Sequence, residues 1–226
     1  MSDIVCIGAH PDDVEIGMGA TIAKLVAQGL SVTIVDLTDG EPTPFGTREL
    51  RLVESLQAAA VLGAARITMD LPNRELFDTV EARYQLAEIL RELRPQRIFV
   101  PYPEDAHPDH VAASDICLAA RFWAKFTKTT MRGEPFYPPS VYRYRAVHLK
   151  LIEQPSFIHD VTGFLAVKME ALASYKSQFE SNPLSRSLLA QMESGARMWG
   201  SLIGVEAGEP FYAIESVGLR DIASVI

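Results

Sequence analysis

Four short apolar runs, "IVCIG" (4–8), "SVTIVDL" (31–37), "RITMDL" (66–71) and "RIFVPY" (97–102), alternate with stretches whose apolar residues recur at helical spacing. Ile22, Leu25 and Val26 precede a stop at Gly29, and Leu52, Val53, Leu56, Ala59 and Ala60 precede Gly63. Leu86, Ile89, Leu90 and Leu93 run up to Pro95, with Asp78 and Glu81 spaced as a capping box ahead of them; Val111, Ile116 and Leu118 follow the fourth run. Strand alternating with helix predicts an α/β, Rossmann-like, mostly parallel sheet flanked by helices, because right-handed crossovers must carry the chain back over the sheet. After about residue 130 the pattern changes. "GEPFYPPS" is a proline-rich loop, "VYRYRAVHLKL" (141–151) alternates like an antiparallel or edge strand, "FIHDV" (157–161) is another short strand, and helical stretches cover 162–180 and 184–203. No linker or composition break separates this half, so we expect edge additions to the same sheet and a single domain over 1–226.

The formal net charge of −8, with no run of lysine and arginine, excludes nucleic acid and an anionic membrane surface as natural partners. No stretch approaches the length of an apolar membrane span, and the first residues lack the basic region of a signal peptide, so the expected compartment is the cytoplasm. The two cysteines, Cys6 and Cys117, lie in separate apolar segments and read as reduced core residues.

Polar chemistry gathers where strands end. "AHPDDVEIG" (9–17) follows the first strand, "TDGE" (38–41) the second and "EDAHPDH" (104–110) the fourth, and an open parallel sheet binds its ligands beyond those carboxyl ends. Adjacent aspartates repel one another unless a positive charge sits among them. His10, Asp13 and His110 suit a metal, since a catalytic zinc site takes three histidine or carboxylate ligands and leaves a position for water. Asp12 is then free beside the metal as the general base. His107 shares the site without ligating and serves the oxyanion or the leaving group, with Asp109 to orient it. One His-Pro-Asp motif alone would be a turn; two at strand ends of one sheet point to catalysis. Asp39 and Glu41 read as a solvated turn or as supports of the site, and His148 and His159 as half-buried structural histidines.

A dinucleotide reading would start from Gly17, Gly19 and Asp36, but it fails on position and charge. The turn that should approach a pyrophosphate holds His10, Pro11, Asp12 and Asp13, whose carboxylates repel phosphate.

The paired motifs "AHPDDVEIG" and "HPDH" resemble the zinc-dependent N-acetylglucosaminyl deacetylases of the PIG-L/LmbE type. Further segments, "GTRELRLVESLQAAAVLG" (46–63), "KMEALASYKSQF" (168–179) and "MWGSLIGVEAGEPF" (198–211), extend the likeness over nearly the whole chain. The last two look most like the branch that deacetylates N-acetylglucosaminyl-malate in bacillithiol synthesis. The resemblance implies zinc, or another divalent ion such as Fe2+ or Co2+, on His10, Asp13 and His110, with Asp12 as base and His107 assisting the oxyanion or amine. It also implies Arg51 on the substrate side, a small amino-sugar substrate, and a homo-oligomer, a hexamer in relatives. Alternatives are a chitooligosaccharide deacetylase and a metal-dependent sugar-binding protein without turnover. One departure stands out. Relatives carry a tyrosine after the "SQF" segment that can donate to the oxyanion, and residues 180–197 contain none.

Overall fold

A computed structural model describes residues 1–226 apart from 147, 150–152, 184, 186, 220, 223, 224 and 226. Seven strands form one mixed sheet in the order β3-β2-β1-β4-β5-β7-β6. The parallel part comprises β1 (Ile4–Gly8), β2 (Val32–Asp36), β3 (Ala65–Thr68), β4 (Arg97–Pro101) and β5 (Ser140–Tyr144); β7 (Gly208–Ala213) runs antiparallel to both β5 and β6 (Phe157–Asp160). The α/β expectation with C-terminal antiparallel additions is met. The helices are α1 (Asp13–Ala27), α2 (Arg48–Leu62), α3 (Val80–Leu93), α4 (Pro108–Trp123), α5 (Leu165–Ala173), the short α6 (Lys176–Phe179) and α7 (Leu188–Leu202). Among the described residues no helix is long and apolar enough to cross a membrane.

β1 is buried on both faces, as a central parallel strand must be. Val5 and Ile7 pack with Ile98, Val100, Leu86, Leu90 and Ile116, whereas Ile4 and Cys6 pack with Ile34, Val14, Ile22, Phe99 and Phe211. Cys6 and Cys117 are both buried free thiols. The sheet is thus held between two apolar layers, which fixes the height at which its strand ends emerge.

Several local expectations shift. The third strand ends at Thr68, not at residue 71, and the long helical stretch at 162–180 breaks between α5 and α6. Thr79, rather than Asp78, caps α3 by accepting from the Ala82 amide, and Asp78 instead pairs with Arg83. The alternating run at 141–151 is strand only through Tyr144, with 147, 150 and 151 outside the described residues. β7 is the strand that sequence patterning missed. Its Glu209 is buried against the Lys168 ammonium at 2.6 Å.

That ion pair repairs a break in α1. Met18 has non-helical backbone angles (φ −150°, ψ 23°), so nearby amides and carbonyls lose helical partners. Lys168 Nζ donates to the Ile16 carbonyl at 2.8 Å, and the Glu209 carboxylate accepts from the Ala20 and Thr21 amides at 3.2 and 2.7 Å. Buried backbone groups require such partners. Just before the break, a Cβ at Gly17 would overlap the Tyr144 ring, whose hydroxyl donates to the Ile7 carbonyl at 2.9 Å. Tyr144 thereby ties the front of α1 to β1.

Candidate active site

The β1–α1 connection positions the first motif. Asp12 occupies the N-cap of α1 with φ 101° and ψ −28°, a conformation few non-glycine residues adopt. Aspartate at an N-cap usually accepts from the helix's own amides. The Asp12 side chain makes no such bond, so it is left to face the cavity while its carbonyl accepts from Ile16 N at 2.8 Å. Asp13, at the first helical position, accepts from the His10 amide at 2.9 Å, which closes the loop on itself.

The second motif arrives from β4, with His107 at the N-cap of α4 and Pro108 just inside the helix. The two motifs meet although 99 residues separate His10 from Asp109. His10 Nε2 lies 3.1 Å from Asp109 Oδ2, and its Nδ1 lies 3.5 Å from Asp13 Oδ2. His110 mirrors this: Nδ1 lies 2.5 Å from Asp105 Oδ2, and Nε2 lies 3.2 Å from Asp13 Oδ1. Each imidazole is therefore held by a carboxylate on one nitrogen and turns the other toward Asp13. Ligand atoms of His10, Asp13 and His110 lie within 4.8 Å of one another. Two buried imidazoles and one buried carboxylate, with outer partners that fix both rings, fit a divalent cation of the zinc type.

These contacts set the charges. Burial works against a charged His10, but bonds to Asp109 and Asp13 outweigh it and push its pKa up to about 9. For His110 burial is likewise outweighed, here by Asp13 and Asp105, and the value reaches about 10. Asp13 is held well below the usual carboxylate range: burial opposes this, and the adjoining His110 and His10 overcome it. Burial raises Asp12 to about 6 despite the opposing charge of Arg51. His107 falls below the usual histidine value through burial and the charges of His10 and His110.

A stability consequence follows for protein stripped of divalent cations. Folded values above 6.5 mean that native His10 and His110 retain protons the unfolded chain has released. Their contribution is complete below about 6.5 and is lost as pH rises through about 9 to 10. The melting temperature of chelator-treated protein is expected to fall over that window relative to protein loaded with metal, which excludes those protons. A difference that stays constant, or an apo midpoint that rises, would contradict the arrangement.

Around this cluster lies a cavity of about 550 Å³ whose walls include Asp12, Arg51, His107 and His148. Arg51 is only 3% exposed; it donates to the Pro11 carbonyl at 2.7 Å, reaches Asp12 at 3.4 Å and comes within 4.0 Å of Glu41. Asp39 pairs with Arg48 instead.

The sequence profile of the GlcNAc-PI de-N-acetylase (PIG-L) family matches residues 5–121. The chain belongs to the PIG-L family. Among its relatives, the diacetylchitobiose deacetylase of Thermococcus kodakarensis is 30% identical over 190 residues, covering 78% of this chain and 70% of that protein. The 1D-myo-inositol 2-acetamido-2-deoxy-alpha-D-glucopyranoside deacetylase of Thermomonospora curvata is 34% identical over 175 residues, covering 62% of this chain and 58% of its own. Among solved structures, a conserved protein of Thermus thermophilus, TT1542, superposes with a TM-score of 0.90 at 36% identity, over 97% of both chains.

For this PIG-L member, His10, Asp12, Asp13, Arg51, His107 and His110 all line the one cavity. Asp109 sits differently from the expectation. Its carboxylate reaches His10, not His107, and also accepts from the Arg74 amide at 2.7 Å; only its backbone amide touches His107, donating to Nδ1 at 3.2 Å. A helix start places the Asp109 carboxylate at His10 Nε2 while its amide points back at the N-cap. Asp105 was missed, although an acid two residues before His107 is a signal in plain view. His148 is not half-buried: its side chain is 60% exposed, and its amide donates to Asp105 at 2.9 Å. His159 is structural as expected, with Nδ1 3.0 Å from the Thr21 hydroxyl. Asp36 is engaged by a bidentate Arg66 at 2.6 and 2.7 Å, which removes any ribose-binding role. Among the described residues no tyrosine lines the cavity; the segment expected to carry one contributes Ser185, Leu188, Gln191 and Met192.

Proposed function

We propose that this chain is a metal-dependent N-deacetylase that hydrolyses the 2-acetamido group of a small GlcNAc-containing molecule, N-acetylglucosaminyl-malate or a similar conjugate. The observation that carries the reading is the pair of imidazoles, each locked by its own carboxylate and turned toward Asp13, with Asp12, whose side chain caps no helix amide, in the same cavity. His10, Asp13 and His110 would hold the cation, zinc being the expected ion. A divalent cation there supplies Lewis acidity toward an amide carbonyl and lowers the pKa of water.

The chain's own residues do the rest. Asp12, with a pKa raised to about 6, is poised to exchange a proton near neutrality. It takes a proton from water as the oxygen attacks the amide carbon, and returns it to nitrogen as the C–N bond breaks, leaving acetate and a free amine. Arg51 keeps part of Asp12's charge in place. His107 Nδ1 accepts from the Asp109 amide, so a neutral ring carries its proton on Nε2. Its lowered pKa favours that neutral form and suits a hydrogen-bond donor to the oxyanion. Asp105 and Asp109 orient the two ligand rings. Replacing either by Asn is expected to weaken metal affinity by about 10–100-fold; competition against a fluorescent zinc chelator measures this, and unchanged affinity in both variants would remove their assigned role.

The reading is tested by acetate release from a panel of N-acetylglucosaminides with and without chelator. Acetate from no member of the panel, with metal supplied, would refute it. A second reading, chitooligosaccharide deacetylation, draws on the name of the Thermococcus relative, and preferential turnover of diacetylchitobiose would select it.

A further inference from the structure

The catalytic cavity does not end beside His10 and Asp12. Ile16, Ala146 and Met192 line it and also line a second cavity of about 400 Å³, so the two adjoin beside α7. Arg145, Gly195 and Trp199 border the second part. Arg145 is half-buried just beyond β5. Its guanidinium lies 5.5 and 5.9 Å from the ring centres of Tyr102 and Tyr212 and donates to the Tyr212 hydroxyl at 3.3 Å. Among the described residues no carboxylate is within ion-pair distance of it, whereas the other charged groups of this cavity, Lys168 and Glu209, satisfy each other.

Gly195 is an independent observation. It lies in the interior of α7, where glycine weakens a helix relative to alanine. Its backbone is helical, and a Cβ added there meets nothing within 4 Å. Among the described residues no packing calls for glycine; what it preserves is open space on the groove side.

We propose that the second cavity is the aglycone subsite and that Arg145 selects an aglycone bearing a carboxylate. This rests on the deacetylase reading above and deepens it. A guanidinium steadied by two aromatic rings and, among the described residues, lacking a carboxylate partner is preorganised to receive one in its two-pronged geometry. Partial burial also shields the contact from salt. With the acetamido group held at Asp12 and His107, the rest of the molecule extends past Ala146 toward Arg145.

The test uses metal-loaded full-length protein and a matched pair of substrates, N-acetylglucosaminyl-malate and its dimethyl ester. For the wild type kcat/KM should favour the acid. In Arg145→Gln that preference should shrink by about 10–100-fold, the range for a hydrogen bond to a charged group, with the loss in KM. Arg145→Lys should fall between the two. A ratio of two substrates on one preparation cancels any loss of folded protein. Gly195→Trp should raise KM for both conjugates relative to free N-acetylglucosamine. An unchanged acid-to-ester ratio in Arg145→Gln, or a Gly195→Trp variant that treats conjugates as the wild type does, overturns the assignment. Should no compound yield acetate even with the wild type, the deacetylase reading fails separately. Calorimetric titration of N-acetylglucosaminyl-malate into wild type and Arg145→Gln then judges the subsite: weaker binding by the variant supports it, and equal or no binding ends it.

Discussion

Asp12→Asn is expected to retain a full equivalent of metal while its catalytic rate falls by at least about a hundredfold, the lower range for loss of a general base. The substitution isolates the proton transfer. Asparagine tolerates the left-handed backbone that Asp12 adopts, and its amide oxygen can still accept from Arg51, so the loop should keep its shape. Neither His10 nor His110 depends on the Asp12 carboxylate: their partners are Asp13, Asp105 and Asp109. What disappears is an ionisable oxygen pushed up to about 6 by burial and facing the cavity. Elemental analysis for metal and an acetate assay on the same sample separate the two effects. Turnover close to that of the wild type would exclude Asp12 as the base.

His10→Ala should lose both the metal and the activity. The His10 ring links Asp13 on one nitrogen to Asp109 on the other. Removing it deletes one of three candidate ligands and the neighbour that fixes Asp109 against the cavity. Asp109 still accepts from the Arg74 and Leu76 amides, so the α4 start and the 74–76 loop have support without the imidazole. The chain should therefore remain folded enough for its metal content to be measured, most directly after dialysis against excess zinc. A variant that holds stoichiometric zinc would mean that the ligand set is wrong.

What could be read in the sequence follows from how strongly each element is marked. β1, β2 and β4 are short β-branched runs bounded by polar turns, and their order with the intervening helices left few topologies open. β7 escaped because "GEPFYA" contains glycine, glutamate and proline, which read as loop punctuation. Its glutamate is tolerable in the interior only because Lys168, 41 positions earlier, meets it there. The site shows the same division. Residue types and strand-end placement were enough to single out His10, Asp12, Asp13, His107 and His110. Which carboxylate serves which ring was not legible, since that depends on the angle at which α4 leaves β4. The Asp109 side chain swings to His10 and Asp105 takes His110, a pairing that linear spacing does not encode. Nor does composition reveal that Arg145 lies against a touching pair of tyrosines with no carboxylate partner among the described residues, for those rings come from β7 and from the residue just past β4.

The broken α1 helix has a consequence for how the protein is made. The family match ends at residue 121, and both motifs have left the ribosome well before Lys168 and Glu209 emerge. Until they do, the helix that begins with Asp13 has open amides and a stranded carbonyl around Met18. A nascent chain that already carries both histidine motifs must wait for Lys168 and Glu209 to brace that helix, so the catalytic apparatus assembles well after its motifs are made.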